Sequence, residues 1–104
     1  MTNTIEKIGI LLIEGYPLIP FSCVVDSLRT ANRLSGTAMF EWQYFSPDSK
    51  PVTSSSNIIL PTTPISEAEG LETLVICAPN TAQHFNDPRV LQLLKKFDKE
   101  GVNL

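Results

Sequence analysis

The chain of 104 residues is short of several things that would mark a function class. It has two cysteines, Cys23 and Cys77, where a secreted scaffold of this size would carry more and place them at turns. Two buried, reduced thiols are the expectation. It has one histidine, His84, and neither cysteine lies at a ligand spacing from it, so no metal site is expected. Basic residues are few: eight Lys and Arg against eleven Asp and Glu, a formal charge of −3. A surface that grips nucleic acid must neutralise phosphates with a dense basic face, and this composition supplies none. No long apolar run exists either. Ile8 to Ile13 is too short to span a bilayer and lacks the flanks of a signal peptide. The expectation is a cytoplasmic protein with no membrane contact.

Glycine is also sparse where a nucleotide would need it. The segment Glu14 to Pro20 contains one glycine, and no phosphate-cradling G-x-x-x-x-G-K-[ST] occurs. No cofactor is expected. What remains is 42% apolar and 18% charged, the balance of a folded globular domain.

The apolar residues fall into periods. Ile8-Gly9-Ile10-Leu11-Leu12-Ile13 is apolar at every position, and so is Leu74-Val75-Ile76-Cys77-Ala78. A strand wetted on one face alternates; one covered on both faces need not. These two segments are expected to be neighbouring parallel strands. From Pro20 to Ser35 the spacing is helical, with Phe21, Val24, Val25, Leu28, Ala31 and Leu34 as the inward stripe and Gly36 as the stop. Phe40 to Phe45 alternates and is expected to be half exposed, near an edge. Val52-Thr53 and Ile58-Ile59-Leu60, split by Ser54 to Asn57, suggest a small antiparallel excursion. Ser66-Glu67-Ala68-Glu69 matches a capping box ahead of Gly70. A second helix is expected from the N-cap Asp87 and Pro88 to Gly101, with Val90, Leu91, Leu94 and Phe97 inward. Val102-Asn103-Leu104 opens a further strand.

This alternation indicates an α/β fold: a doubly wound, flavodoxin-like parallel sheet with helices on both faces, of which residues 1–104 form the N-terminal half. Ligands in such sheets bind beyond the carboxyl ends of the strands. That rule singles out Glu14 and Tyr16 after the first strand, and Asn80 and His84 after the later one, as ligand-binding candidates. Glu14 either anchors a ligand or accepts nearby backbone N–H groups. His84 either contacts a ligand or is a solvated loop histidine. A sheet cut at Leu104 leaves an unpaired strand edge, so the expectation is a larger folded chain or a homo-oligomer.

Three stretches carry a family resemblance: Ile13-Glu14-Gly15-Tyr16-Pro17-Leu18-Ile19-Pro20-Phe21 leading to Leu28-Arg29-Thr30-Ala31-Asn32-Arg33; Trp42 to Ser46 with Pro51 to Asn57; and Phe85-Asn86-Asp87-Pro88-Arg89 through Lys99 to Val102. In order and spacing they resemble the ThiJ/PfpI superfamily, which shares its fold with class I glutamine amidotransferases. More narrowly, they resemble the sensor domain of AraC-type regulators. In the superfamily's enzymes a cysteine nucleophile stands at the turn after the next strand, beyond Leu104. An acidic residue that assists it follows the first strand, at the position held here by Pro20. The resemblance therefore implies no catalytic residue within this chain. It implies a small-molecule effector, in the subgroup of amino-acid and quaternary-amine catabolism, and a C-terminal helix-turn-helix domain through which alone DNA is met. The alternative is an enzyme of the superfamily (deglycase, amidase or peptidase-like hydrolase) whose cysteine lies after residue 104.

Overall fold

A computed structural model describes residues 5–48, 50–79 and 88–103, with nothing said of the Arg89 side chain. Strand β1 spans Glu6–Leu12, helix α1 Leu18–Ser35, and strand β2 Phe40–Ser46. The two-residue strands β3 (Val52–Thr53), β4 (Ile59–Leu60) and β5 (Thr63–Pro64) follow, then a 3₁₀ turn at Ile65–Glu67. Strand β6 (Thr73–Cys77) and helix α2 (Pro88–Lys99) complete the order.

The main sheet runs β5-β2-β1-β6 and every pairing in it is parallel. β1 lies between β2 and β6, with Ile10 opposite Tyr44 on one side and Val75 on the other. The two alternation-free segments are thus parallel neighbours, as expected. From Ile8 to Ile13 every residue of the first is buried, because helices cover both faces. On one face, Ile8, Ile10 and Leu12 pack with Phe21 and the half-buried Val24, Val25 and Leu28 of α1. On the other, Leu11 and Ile13 join Phe45 and Leu74 under Val90 and Phe97 of α2. Gly9 also faces α2. A Cβ there would stand 2.6 Å from Leu71 Cδ1 and 3.1 Å from both Leu74 Cδ1 and Phe45 Cε2, so the close packing requires glycine.

β2 alternates half-buried and exposed residues up to Tyr44, as its pattern suggests, and only its last two residues pair with β5. β3 and β4 pair antiparallel, forming the expected excursion. Asn103 makes an isolated parallel bridge to Thr73, so the segment after α2 does begin to line up along β6.

Several local expectations need correction. α1 begins at Leu18, not Pro20; Pro17 is its N-cap and Pro20 still lies within the first turn, where no N–H is needed. Ala31 and Leu34 are not inward: Ala31 is half-buried and Leu34 is 75% exposed, because the inward stripe drifts off them after Leu28. Cys23, expected buried, is exposed because it lies on the face of α1 turned away from the sheet, while Cys77 is buried as expected. Ser66 caps nothing; the turn starts after Pro64 and runs only three residues. Ile76 is 43% exposed, since β6 has a full strand partner on one side only. The N-cap expected at Asp87 lies outside the described residues.

Helix α1 is tied to β2 by one side chain. Asn32 Nδ2 donates to the Phe40 carbonyl at 2.9 Å, and Asn32 Oδ1 accepts the N–H groups of Met39 and Phe40 at 2.9 Å each. The Asn of the Ala-Asn-Arg phrase therefore closes the α1–β2 loop and launches β2 in register beside β1. Asn32→Ala is expected to cost about 2 kcal/mol, since three bonds are lost, two of them partly buried, and Asn32→Asp less, since the acceptor oxygen remains. Denaturant midpoints at constant m-value check this.

Candidate functional site

The carboxyl end of β1 leads into a tight turn. The Ile13 N–H donates to the Cys77 carbonyl at 3.0 Å, which carries the β1–β6 pairing one step past the strand. The Tyr16 N–H returns to the Ile13 carbonyl at 3.0 Å, and Gly15 between them has φ +83°, a conformation that favours glycine. The β3–β4 excursion is strapped onto this turn. Gly15 N–H donates to the Thr53 carbonyl at 2.8 Å, Ser55 N–H to the Tyr16 carbonyl at 2.9 Å, and Thr53 N–H to Glu14 Oε2 at 3.1 Å.

The strap holds itself through Ser54, which is buried. Its Oγ accepts the N–H groups of Ser56 at 3.2 Å and Ile58 at 3.1 Å, and its own N–H donates to the Ile58 carbonyl at 2.8 Å. Asn57 takes the left-handed conformation, φ 67°, that closes the turn. The Ser54 to Asn57 tract is thus a fastener of the loop beside β1. Three serines and an asparagine between two short strand segments were the signal for it, since such residues bond to nearby backbone.

Glu14 is exposed and its carboxylate meets the strap backbone. Tyr16 is 0% exposed and belongs to the core under α1. Its ring stands edge-on to Phe21 at 5.4 Å between centroids, and Phe21 tilts against Tyr44 at 5.5 Å. Its hydroxyl is buried without a hydrogen-bond partner among the described residues. Burial, then the neighbouring Cys77, Glu14 and Tyr44, push its pKa above the ordinary 10.0. Burial likewise pushes the Cys77 thiol above 9.0, so it stays protonated at neutral pH and is a poor nucleophile. Sequence reasoning put Tyr16 at the site but did not foresee Cys77 as its neighbour; only the parallel pairing brings the ends of β1 and β6 together. Asn80 and His84 lie outside the described residues.

The cavities described lie elsewhere. An open groove of about 740 Å³ runs along the outer face of α1. Another of about 440 Å³ lies between Gly70 and the α2 residues Lys96 and Glu100, at the far end of the strands. Among the described residues no group of three or more His, Cys, Asp or Glu could hold a metal ion. No described helix is long and apolar enough to cross a membrane.

No family model matches the chain. Curated relatives do. The HTH-type transcriptional regulator GbdR of Pseudomonas aeruginosa is 32% identical over 73 residues, covering 69% of this chain and 20% of GbdR. The HTH-type transcriptional regulator GlxA of Rhizobium meliloti is 28% identical over an alignment of 105 residues, covering 99% of this chain and 32% of GlxA. The chain is a homologue of AraC-type transcription regulators. It spans a fifth to a third of the length of these relatives.

Solved structures agree on the fold of this regulator homologue. An AraC family transcriptional regulator from Pseudomonas putida superposes with a TM-score of 0.82 at 24% identity, over 93% of this chain and 52% of that one. A DJ-1 superfamily protein from Agrobacterium tumefaciens superposes at 0.67 and 21% identity, over 92% and 50%. The expected ThiJ/PfpI-like α/β fold is therefore correct.

The two raised pKa values fix a pH dependence. Both groups are neutral when protonated, and burial keeps them so in the folded chain. The unfolded chain loses these protons first, near 9.0 and 10.0. Stability is thus full below pH 9 and falls as pH rises beyond it. In Tyr16→Phe the loss above pH 10 is expected to shrink, while stability at pH 7 changes by less than about 1 kcal/mol, because the deleted hydroxyl has no partner among the described residues. Urea titrations across pH 7 to about 11 check both statements.

Proposed function

We propose that residues 1–104 are the N-terminal part of a ligand-sensing domain in an AraC-family regulator. In this reading the domain binds a small metabolite, an amino acid or quaternary amine, and controls a C-terminal helix-turn-helix domain. The observation that carries it is the likeness to regulators that runs over 99% of the chain in GlxA. The charge of −3 supports it, because DNA contact then belongs to a separate, basic domain. The effector sits beyond the carboxyl ends of β1 and β6, with Glu14, Tyr16, Asn80 and His84 as the contacts to test.

A second reading is an enzyme of the same superfamily with its cysteine after residue 104. The fold it shares with the DJ-1 superfamily protein supports it. Against it stands Pro20, exposed in the first turn of α1, where the family resemblance places the enzymes' acidic residue. A proline has no group that could share a proton with a thiol. The regulator reading carries the charge balance and the proline together, places the protein in the cytoplasm, and needs no cofactor.

Heating the full-length protein with a panel of amino acids and betaines is the test. One member is expected to raise Tm by about 5 °C by binding the native state, and to change affinity for promoter DNA. Turnover of a glycated or amide substrate that disappears when a cysteine beyond residue 104 is replaced would overturn the regulator reading.

A further inference from the structure

Strand β2 pairs with β1 from Phe40 to Phe45, but on its other side β5 reaches only Phe45 and Ser46. Successive residues of a strand turn their backbone groups to opposite sides. The Met39 carbonyl accepts the Glu6 N–H, so Glu41 and Gln43 also turn to β1, while Phe40, Trp42 and Tyr44 turn outward.

Both ends of this outer edge are occupied. At one end the Asn32 carboxamide bonds the N–H and the carbonyl of Phe40 at 2.9 Å each, as a residue of an adjoining strand does. At the other end Thr63 stands opposite Phe45, a pairing that in a parallel ladder uses the Tyr44 carbonyl. Between them the Trp42 N–H, the Trp42 carbonyl and the Tyr44 N–H have no partner among the described residues. Such a row is a template for another extended chain, whose own donors and acceptors recur at the same spacing.

The side chains on either face show what that chain would carry. On the α1 face Trp42 and Tyr44 are half-buried, and Trp42 Nε1 donates to the Tyr44 hydroxyl at 3.3 Å. With Pro61 and Thr62 they line an open groove of about 290 Å³ at this edge. Their rings offer apolar surface to a β-branched neighbour. On the other face Glu41 and Gln43 are exposed. Glu41 and Glu69 line a second groove of about 250 Å³, in which Lys7 is the only cation. Two carboxylates against one ammonium favour a basic side chain from outside.

We infer that the outer edge of β2 takes up an extended peptide segment of another protein as an added strand. Its apolar residues lie against Trp42 and Tyr44, and its basic residues alternate with them over Glu41. The edge is a side of the sheet and not its carboxyl end, so this contact is separate from the effector site and stands whether or not an effector binds.

The test uses the full-length protein and a dye-labelled peptide, Lys-Val-Lys-Val-Lys-Val-Lys, followed by fluorescence anisotropy. It is expected to bind with a Kd below about 100 µM. In an added strand only alternate N–H groups of the peptide face β2. N-methylation of one set, the valine or the lysine amides, is therefore expected to weaken binding at least about tenfold, while methylation of the other set leaves it within about twofold. Glu41→Lys, on an exposed site, should weaken this peptide severalfold and strengthen one with glutamate in place of lysine. Hydrogen exchange at Trp42 and Tyr44 should slow when peptide is added. No binding up to about 1 mM, or equal behaviour of the two methylated peptides, would overturn the inference. So would Trp42 and Tyr44 amides as protected without peptide as those of Glu41 and Gln43, since a later segment of the chain or a second copy would then already cover the edge.

Discussion

The parallel pairing of β1 on both of its edges is the constraint on which the other parts of this structure depend. Its backbone is shared between β2 and β6, and its two faces are shared between α1 and α2. A strand so placed has no wet face, which is why six successive residues from Ile8 to Ile13 are buried and why one of them is Gly9, with three neighbouring side chains closing over it. It also decides where a site can stand. With both edges and both faces occupied, β1 can meet a ligand only at its ends, and the chain leaves its carboxyl end through the turn at Glu14 to Tyr16.

That turn is tied down by hydrogen bonds on both sides. The strap of β3 and β4 supplies backbone partners on both sides of Gly15, and buried Ser54 holds the strap in shape. Glu14 is engaged with backbone, and Tyr16 is turned down into the core beside Cys77. Neither residue is arranged as an acid or a nucleophile: one is hydrogen-bonded to a main-chain amide, the other held neutral by burial.

Some of the sequence's strongest signals served the fold. The stretch Ala31-Asn32-Arg33, part of the family resemblance, contributes Asn32 as the clamp between α1 and β2. The aromatic alternation of β2 is visible because one of its faces stays half wet. The reading failed where two periods compete. Ala31 and Leu34 continue an apolar pattern, yet the helix turns 100° per residue and carries them away from the sheet after Leu28. Apolar character shows that a side chain seeks cover; it does not say which neighbour provides it.

Sequence by itself indicated the class of the fold, because short runs without alternation suit strands covered on both faces, and helical spacing between such runs provides the covers. It also determined the net charge of −3, because charge is a sum that folding does not change. The tertiary structure alone decided that Tyr16 is core, that Cys77 stands beside it, that a serine-rich tract locks the first loop, and that Leu34 of α1 faces outward. Each of these is a meeting of residues far apart in the chain, or a question of which side of a helix faces the sheet. Such relations arise from packing between elements, which no local pattern records.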